Sequence, residues 1–497
     1  MALFSTLFLT RCARSLAAVI VSTAASSALT TAASVPEDTS APAITSAVAD
    51  VQARAAQVEL ILKEALTRGR AMERLTDLCT RAPHRLAGSP GYMAAAEWAR
   101  QTMEEDGLSN VRFEWTDAPR WERGSVGKVA LIEPSAHQAE LPMLALGGSI
   151  ATPEHGLTAE VVVVESLAEA AELGIKAHGK IVLFNRPLDG SLVNTFSAYG
   201  GAVSQRSQGA RAAAKVGAVA ALVRSMTTRI DDVPHTGGMR YANDVTKIPT
   251  AAISTLAAEK IASLVAAGQR VVLHFEQNCR TMPDAPNPNV VGDWLGHERP
   301  DEIIVVGGHL DCWDVGQGAH DDGGGCCQAL EAVRLLKTLG LHPRRTLRVV
   351  LFANEENGLA GGKAYIGHHR DELSKHILAL ESDSGVFTPR GFTTDANPEA
   401  RAILDAIAKL LSAAGAGRMT TGHGGADIGP LAAHGTVLVG YDPDPQRYFD
   451  LHHSARDTLA AVNEREINLG AGVIAALIWI VADLELTLPR NPITADN

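Results

Sequence analysis

Short apolar runs alternate with helical patterns through the C-terminal half of the chain. Four runs of valine, isoleucine and leucine are suited to strands that are buried on both faces of a sheet. They span residues 303–306, 347–352, 377–380 and 437–439. Apolar residues at helical spacing lie between them, for example over 328–339 and 401–411. This alternation predicts an α/β domain with a mainly parallel, mixed sheet flanked by helices.

The sequence of the N-terminal half predicts a helical segment followed by a region of short strands. Helical periodicity over residues 51–78 leads to a loop at 84–91 and a second helix, which Pro90 is well placed to open. Between residues 124 and 283 short apolar strands recur, with an alanine-rich helix at 208–216. We interpret this stretch as a separate α+β domain inserted within a larger one. No catalytic constellation stands out in it.

The larger domain is therefore predicted in two parts. Residues 51–123 form its N-terminal part, and residues 284–490 form its main part with the candidate chemistry. Residues 283–289 contain three prolines and are typical of a connection between the insert and the main part.

The first residues have the pattern of a targeting segment. Arg11 and Arg14 precede a small, apolar stretch over 15–33, so residues 1–35 are predicted to be a secretory signal peptide. A membrane anchor or a disordered tail is the alternative. Residues 36–50 are expected to form a linker or propeptide. No other run of about 18 apolar residues occurs, so we expect a secreted or periplasmic protein with no membrane association after signal removal.

Composition narrows the class of function. The chain has 497 residues, of which 46% are apolar, enough for two or three domains with a large core. Its formal net charge of −12 argues against a general nucleic-acid binder, because such proteins present basic surfaces. Mild acidity is common in enzymes and does not select a substrate.

Acidic residues and a histidine follow the apolar runs at 303–306, 347–352 and 377–380, at the points where parallel strands would end. In such sheets, sites form outside the carboxyl ends of the strands. His309 follows the first run, and a neutral imidazole is a good zinc ligand that Asp311 is placed to orient. Asp321 and Asp322 precede three glycines, which allow close backbone approach to a metal cluster. One of these two carboxylates is suited to bridging two cations.

Two further acidic clusters extend the set. Glu355 and Glu356 follow the second run, so one can ligate a metal while the other acts as a general base. Asp383 follows the third run, with Glu381 as its rival. A general base next to cations that activate water predicts a hydrolytic site.

A pair of histidines, His452 and His453, offers the last ligand of a two-metal site. The order of all these groups along the chain resembles the M28 family of zinc peptidases. It runs His309-x-Asp311, Asp321-Asp322-Gly323, Glu355-Glu356, Asp383, His453-(x)3-Asp457-Thr458. Residues 308–325 are similar almost throughout to the carboxypeptidase Q group of that family. The insert is similar to the protease-associated domain that this group carries.

The resemblance implies a zinc exopeptidase fold with two Zn²⁺ ions held by five side chains. The implied ligands are His309 and Asp383 for one ion, Glu356 and His453 for the other, and Asp321 as the bridge. In this family the bond between the paired aspartates is typically cis, which is expected here as well.

The resemblance also implies roles beyond the ligands. Glu355, just before the ligand glutamate, would be the general base. Asp311 would orient the first histidine. His452 stands where relatives often have a tyrosine, and we predict that it donates a hydrogen bond to the oxyanion. The loop that ends at Asp427 is expected either to line the substrate cleft or to be a simple glycine-rich turn.

These implications predict a dizinc exopeptidase that hydrolyses dipeptides or short peptides at one terminus. Amino- and carboxypeptidases of this fold share their metal ligands, so the terminus stays open. A homodimer is expected. Two rivals share the fold: a non-catalytic, receptor-like member, against which the complete ligand set counts, and a single-zinc member like glutaminyl cyclase. A non-peptide aminohydrolase is a weaker alternative.

Overall fold

A computed structural model describes residues 40–494 of the chain. The predicted signal peptide, residues 1–35, lies outside the described residues. The helices are α1 (Ser40–Gln52), α2 (Ala55–Arg68), α3 (Ala71–Arg81), α4 (Pro90–Glu105), α5 (Leu167–Leu173), α6 (Thr195–Ala202), α7 (Ser204–Lys215), α8 (Thr255–Ala266), α9 (Gly324–Thr338), α10 (Ala360–His368), α11 (Pro398–Leu410), α12 (Tyr448–Leu451) and α13 (Glu464–Asp483). The strands are β1 (Ser109–Glu122), β2 (Gly127–Glu133), β3 (Ala139–Leu141), β4 (Met143–Ala145), β5 (Leu157–Val164), β6 (Ile181–Phe184), β7 (Ala220–Arg224), β8 (Thr250–Ile253), β9 (Val272–Gln277), β10 (Arg280–Trp294), β11 (Arg299–His309), β12 (Arg345–Phe352), β13 (His376–Glu381), β14 (Pro389–Thr394), β15 (Arg418–Thr421) and β16 (Val437–Pro443).

The main sheet is mixed, with a parallel centre. Its order is β1-β10-β12-β11-β13-β16-β14-β15. The four central strands β12, β11, β13 and β16 run parallel to one another. The pairs β1·β10, β10·β12 and β14·β16 are antiparallel. The predicted mainly parallel, mixed α/β sheet is confirmed.

Both faces of this sheet are covered, which is why its central strands consist of continuous apolar runs. Along β11, Ile304 and Val306 face the core formed with α9 and α13, while Ile303 and Val305 face a second core with α10. The long helix α13 is apolar enough by length and composition to cross a membrane, but 83% of its apolar window is buried inside the protein. It is therefore the core helix of the domain.

Residues 127–277 form a second sheet of their own, within the predicted insert of residues 124–283. Its order is β3-β2-β9-β5-β6-β7-β8-β4, with β5, β6, β7 and β8 parallel and the flanking pairs antiparallel. Helices α5, α7 and α8 pack against these strands. The long antiparallel pair β1·β10 carries the chain into and out of this region.

Two segments differ from the sequence-based expectation. Residues 283–289, expected as a connection, lie within strand β10 in spite of three prolines. Strand β12 pairs only with Val290–Trp294 of β10, so the proline-containing part has β1 on one side and a free edge on the other. Proline is tolerated in this part because it pairs with a neighbouring strand on one side only. The predicted linker 36–50 is helical from Ser40 onwards, and Ala47 joins the main core.

The buried imidazole of His376 predicts a pH-dependent contribution to stability. Its Nδ1 lies 3.0 Å from the carbonyl of Glu372 and its Nε2 lies 2.8 Å from the Tyr365 hydroxyl. Burial lowers the pKa of His376 to about 4, whereas an unfolded histidine titrates near ~6.5. The unfolded chain therefore binds more protons between these values, so this contribution is present above about pH 6.5 and is lost as the pH falls towards about 4.

Replacing His376 with glutamine should reduce the pH dependence of the free energy of unfolding between about pH 4 and 6.5 by up to about 1.4 kcal/mol per pH unit. Urea unfolding with chelator present, from pH 4.5 to 8, measures it, because chelation removes any effect of zinc loss. The exposed His178→Gln is the matched control. A His376→Gln curve parallel to that of the wild type would contradict the expectation.

Candidate metal centre and active site

The carboxyl ends of the central strands bring the predicted acids and histidines together. His309 is the last residue of β11, Glu355 and Glu356 follow β12, and Asp383 follows β13. Asp321 lies in the irregular turn that leads into α9. The peptide bond between Asp321 and Asp322 is cis. His453 arrives from beyond β16, after the short helix α12.

Asp321 lies between two histidines and presents one oxygen to each. Its Oδ1 is 3.3 Å from His309 Nε2, and its Oδ2 is 3.3 Å from His453 Nε2. Asp383 Oδ1 lies 3.2 Å from His309 Nε2, and Glu356 Oε2 lies 2.9 Å from His453 Nε2. The five side chains thus form two groups that share one carboxylate.

The donor set fits two divalent cations. Asp321 Oδ2 and Glu356 Oε1 are buried without a hydrogen-bond partner, a costly state that a cation would relieve. Imidazole nitrogens with carboxylate oxygens are a ligand combination that suits zinc. His309, Asp321 and Asp383 offer ligand atoms that all lie within 4.8 Å of one another, as do Asp321, His452 and His453.

The electrostatics of this cluster reflect its excess of acids. Burial raises the pKa of Glu356 and of Asp383 above their usual range. Burial alone would lower the pKa of His309, but the carboxylates of Asp383 and Asp321 raise it well above its ordinary value. Burial also works against ionisation of Asp321, yet the adjacent His309 and His453 imidazoles hold its pKa well below normal. Positive charge at this position is therefore strongly favoured.

Asp311 orients His309 through its main-chain oxygen and not through its carboxylate. His309 Nδ1 lies 3.0 Å from the main-chain oxygen of Asp311, whereas the Asp311 carboxylate is 3.9 Å away. That carboxylate instead accepts hydrogen bonds from the backbone N–H groups of Glu355 and Glu356, at 3.0 and 3.3 Å. One residue therefore holds both the first histidine and the turn that carries the two glutamates.

Two buried aspartates outside the proposed set of five ligands hold the neighbouring backbone. Asp457 accepts hydrogen bonds from the backbone N–H groups of His320 and Asp321, at 2.7 and 3.1 Å. Asp322 accepts from the N–H of His309 at 3.1 Å. Asp457 was visible in the family-like motif after His453, but its partner could not be read from spacing.

The rival acid Glu381 is engaged elsewhere. Its carboxylate accepts hydrogen bonds from the backbone N–H groups of Asp427 and Ile428. Asp383 therefore takes the position next to His309. Asp427 is 2% exposed, both its carboxylate oxygens lack a partner, and the cavity described below is lined by other residues. Its role in substrate binding stays a prediction.

His452 stacks on His453, with ring centroids 3.5 Å apart. Its Nε2 is 3.9 Å from Asp321 Oδ2, and its Nδ1 is buried without a partner. Burial, together with the charge of His453, holds the pKa of His452 well below its ordinary value. A neutral imidazole with a free ring nitrogen at the cavity wall can either donate a hydrogen bond or ligate a cation.

Three residues around the site have left-handed backbone conformations. The φ angles are 60° at His453, 63° at Asn354 and 61° at Leu359. Such angles are uncommon for non-glycine residues and strained, and they cluster at functional sites. Here they turn the chain immediately at a proposed ligand and on both sides of the two glutamates.

A cavity of about 830 Å³ opens onto the cluster, and the insert contributes to its wall. Asp321, Glu355 and Glu356 line this cavity together with Phe196, Tyr199 and residues 206–208 of the insert. The rings of Phe196 and Tyr199 stack on Tyr448 and Phe449, 5.0 and 4.6 Å apart between centroids. No local signal marked these insert residues, because only the tertiary fold brings them to the site.

Arg85 clamps the loop between His309 and Asp321. It is fully buried, and its guanidinium donates to the carbonyls of Leu310, Gln317 and Gly318 at 2.6, 2.6 and 2.7 Å. Removing it would abolish three hydrogen bonds from a charged group, at ~1.5–3 kcal/mol each, and leave the Leu310 carbonyl without a partner, whereas the Gly318 and Gln317 carbonyls would keep the Gly323 N–H and the Cys79 thiol.

Arg85→Met is therefore expected to lower the free energy of unfolding by about 3 kcal/mol or more. Urea unfolding followed by circular dichroism measures the change. The matched control is Arg81→Met, whose side chain is half-exposed and pairs with Asp77 on the surface, with an expected effect within ~1 kcal/mol. If Arg85→Met were as stable as Arg81→Met, the hydrogen bonds of Arg85 would contribute nothing to the free energy of unfolding.

Comparison with known proteins places this geometry in context. The family model described as peptidase family M28 matches residues 289–478. Carboxypeptidase Q of Mus musculus is 39% identical over 422 residues, covering 85% of this chain and 87% of that protein. Carboxypeptidase Q of Homo sapiens is 38% identical over the same shares.

Solved structures agree in fold. The peptidase M28 precursor from Shewanella amazonensis SB2B superposes with a TM-score of 0.85 at 33% identity, covering 89% of this chain and 99% of that one. The zinc aminopeptidase BSAP from Bacillus subtilis superposes with a TM-score of 0.62 at 19% identity, covering 85% of this chain and 97% of that one. The latter likeness concerns the fold alone.

Proposed function

Because this chain belongs to peptidase family M28 and is a zinc-dependent peptidase, we propose that it is a dizinc exopeptidase acting on dipeptides and short peptides. The observation that carries the proposal is Asp321, whose two oxygens each face a different histidine at 3.3 Å. A carboxylate in that position is suited to bridging two ions. His309 and Asp383 would hold one ion, and Glu356 and His453 the other.

The residues of the chain divide the chemistry between them. When bound, the zinc ions supply Lewis acidity towards the scissile carbonyl and the attacking water. Glu355 takes a proton from the water as it attacks the carbonyl carbon, and later delivers a proton to the leaving amine. His452 donates a hydrogen bond to the carbonyl oxygen as negative charge develops there. The turn held by Asp311 keeps Glu355 on the cavity wall.

The shape of the cavity favours short substrates. The insert contributes to the wall of the cavity next to the metal cluster, and a volume of about 830 Å³ suits a small peptide rather than a long chain. The relatives named carboxypeptidase Q favour recognition of a C-terminus. A single-zinc enzyme is the rival, and counting the ions decides between them.

The proposal is tested by metal analysis together with an assay on free, N-blocked and C-blocked dipeptides, with and without chelator. We expect two zinc ions per chain, hydrolysis of free dipeptides and loss of activity on chelation. Activity that survives complete removal of metal would contradict the mechanism. One tightly held ion in a fully active enzyme would favour the single-zinc rival.

His452→Phe is expected to lower kcat by about 10²- to 10³-fold, as the loss of one oxyanion donor does, while two zinc ions remain bound. Phenylalanine preserves the stack on His453 and removes the ring N–H. Steady-state kinetics and metal analysis on the same sample measure both quantities. Loss of one ion would instead assign His452 as a ligand, since it lies within reach of Asp321 and His453. An unchanged kcat would exclude both roles.

Three further features are proposed, the first from the sequence pattern of residues 1–35 and the other two from the resemblance. They are a secretory signal peptide over residues 1–35 with a secreted or periplasmic location, a protease-associated identity for the insert, and a homodimer. Analytical ultracentrifugation of the zinc-loaded protein tests the last of these, and sequencing the N-terminus of the exported protein tests the first.

A further inference from the structure

His452 and His453 lie on a short turn whose main-chain carbonyls are held by the insert. The main-chain oxygen of His452 lies 2.7 Å from His235 Nδ1, and that of His453 accepts a hydrogen bond from the N–H of Thr236 at 2.9 Å. Both donors belong to the loop between β7 and β8. Across residues 40–494, neither carbonyl accepts a hydrogen bond from any other group. The backbone of this histidine pair therefore depends on two adjacent residues of the insert.

The contact made by His235 fixes which of its ring nitrogens carries the proton. A carbonyl oxygen can only accept, so Nδ1 must donate to His452. In the neutral ring Nε2 is then an acceptor, and it is buried without a hydrogen-bond partner. Buried polar atoms are nearly always paired, and each exception calls for an explanation. The unpartnered Nε2 fits a histidine that is retained here for the one hydrogen bond that its Nδ1 donates.

The ring of His453 has no acceptor that would orient it as a ligand. A metal-binding histidine usually donates its second ring N–H to a carboxylate or carbonyl, as His309 can to the main-chain oxygen of Asp311 at 3.0 Å. When His453 binds a cation through Nε2, its Nδ1 carries a proton and faces Arg206 Nη1 at 3.4 Å. A guanidinium offers no acceptor. The position of this ring must therefore be set through its backbone.

The backbone of His453 needs such support because its conformation is strained. Its φ angle is 60°, in the left-handed region that a non-glycine residue keeps only where its surroundings impose it. The hydrogen bond from Thr236 is made to the carbonyl of this same residue. Gly237 comes next, with a φ angle of 134°, and a Cβ there would lie 2.7 Å from His453 Nδ1. The insert backbone thus lies directly against the ligand that it holds.

The loop that carries the two donors is itself fixed to the second sheet. The backbone N–H of His235 donates to Ser225 Oγ at 2.8 Å, and that hydroxyl donates to the carbonyl of Ile253 at 2.7 Å. Thr236 Oγ1 donates to the carbonyl of Ala145 at 2.8 Å. These contacts lie at the ends of β7, β8 and β4. Rigid strands therefore support the two donors, as precise placement of a ligand requires.

Charged pairs mark the two ends of the contact between residues 229–237 and residues 450–456. Arg456 Nη1 lies 2.7 Å from Asp231 Oδ2, and Arg229 Nη1 lies 3.7 Å from Asp450 Oδ2. Pairs of partly exposed side chains contribute little on their own. The buried hydrogen bonds to the two histidines lie between these pairs, so they are the part of the contact that matters for the site.

We propose that residues 235–237 of the insert position His453 as a metal ligand, and that the affinity for the ion of Glu356 and His453 depends on the Nδ1–H of His235. His235 is then a positioning residue, since it acts through the backbone of His452 and touches no ion. The inference rests on the proposed two-metal function. It gives the insert a part in metal binding beside its part in the cavity wall.

Zinc affinity tests the proposal without relying on turnover. His235→Leu removes the donor and should raise the Kd of one zinc ion by about 10- to 100-fold, as loss of a group that orients a ligand does, while the other Kd stays within ~3-fold. His235→Asn has the branching of leucine but places an amide N–H where Nδ1 lies, so it should restore most of the affinity. Competition with a fluorescent chelator measures both constants. Unchanged constants in His235→Leu would overturn the proposal.

Gln277→Leu is the matched control for a buried hydrogen bond lost from the insert. Gln277 Nε2 donates to Ser149 Oγ and to the carbonyl of Ile150, at 2.8 and 2.7 Å, and its side chain does not line the cavity. Its thermal stability should fall while both zinc constants stay at the wild-type values. If Gln277→Leu weakened the same ion as His235→Leu, a loosened insert would explain both results and the proposal would be wrong.

A double substitution identifies the ion on which His235 acts. Glu356→Gln is expected to weaken the ion that Glu356 shares with His453. Adding His235→Leu should then leave the Kd of the remaining ion within ~3-fold, because that ion is held elsewhere. A further loss at the remaining ion would place the effect at His309 and Asp383 and would contradict the proposal.

Dipeptide kinetics separate this role from substrate binding. At limiting free zinc, His235→Leu should lower kcat for L-alanyl-L-alanine because fewer chains hold both ions, and raising the zinc concentration should restore it. The KM should stay within ~3-fold of the wild-type value, since the chains that remain active are intact. A loss that appeared mainly in KM and did not respond to zinc would assign His235 to the substrate and overturn the proposal.

Hydrogen exchange tests the same coupling in the wild-type protein. Because coupling between two sites is reciprocal, zinc should slow amide exchange in peptides covering residues 229–239 by at least ~5-fold, and helix α8 of the insert should be unaffected. Exchange in residues 229–239 that did not respond to zinc would overturn the proposal. If the zinc-loaded wild type cleaved no dipeptide, the proposed peptidase function would fail, whereas the zinc affinities and exchange rates would still decide the role of His235.

Discussion

Glu355→Gln is expected to lower kcat by about 10²- to 10⁴-fold, the usual contribution of a positioned general base. Glutamine has nearly the same shape but cannot take a proton from the attacking water. Glu355 lines the cavity beside Asp383, and its backbone N–H is tied to the Asp311 carboxylate at 3.0 Å, so the substitution leaves the turn in place. Steady-state kinetics on a dipeptide that the wild type cleaves measure the effect.

Metal content distinguishes the role of Glu355 from that of Glu356. Glu355→Gln should keep both zinc ions, whereas Glu356→Gln should lose affinity for one, because Glu356 Oε2 faces His453 Nε2 at 2.9 Å. The exposed Glu105→Gln is the control for loss of a carboxylate elsewhere. Near-normal turnover by Glu355→Gln, or loss of zinc from it, would reassign the base.

Asp321→Asn should abolish measurable turnover and reduce the zinc content below two ions per chain. The asparagine side chain offers one oxygen and no charge where the aspartate faces both histidines. Metal ions contribute several kcal/mol of transition-state stabilisation, so we expect a loss of more than about 10³-fold. Inductively coupled plasma mass spectrometry after gel filtration, together with the dipeptide assay, measures both quantities.

The control for this substitution comes from the same loop. Asp314→Asn removes a partly exposed carboxylate that pairs with Arg123 at 2.6 Å and lies outside the cluster. It should keep both ions and activity within a few-fold of the wild type. An Asp321→Asn protein that still held two zinc ions would show that another group bridges them.

Local sequence patterns were sufficient to predict the strands that are buried on both faces of the sheet. The runs at 303–306, 347–352, 377–380 and 437–439 lie within β11, β12, β13 and β16, since strands buried on both faces must be apolar throughout. The polar strand β14 and the edge strand β15 next to it carried no such pattern and were missed. Strand β10 was obscured by its prolines, which its free edge tolerates.

The candidate site was predictable as a set of residues because parallel strands end at one edge of a sheet. The hydrogen-bond partners of those residues were harder to predict from the sequence. Spacing suggested that Asp311 would orient His309, but not that its main-chain oxygen would do so. It also left Glu381 as a rival to Asp383, and only the backbone donors of the loop at Asp427 and Ile428 account for Glu381.

The sequence by itself determined the four central strands of the sheet, the order of the candidate ligands and the family-like motif, because each apolar run and each motif segment is a short stretch of chain. Only the tertiary structure decided what faces the metal cluster. Arg206 is more than a hundred residues from His309 and from His453 in the chain, yet it lies 3.4 Å from the His453 ring and lines the same cavity. Such a contact results from how the insert packs over the sheet, and no periodicity or spacing records it.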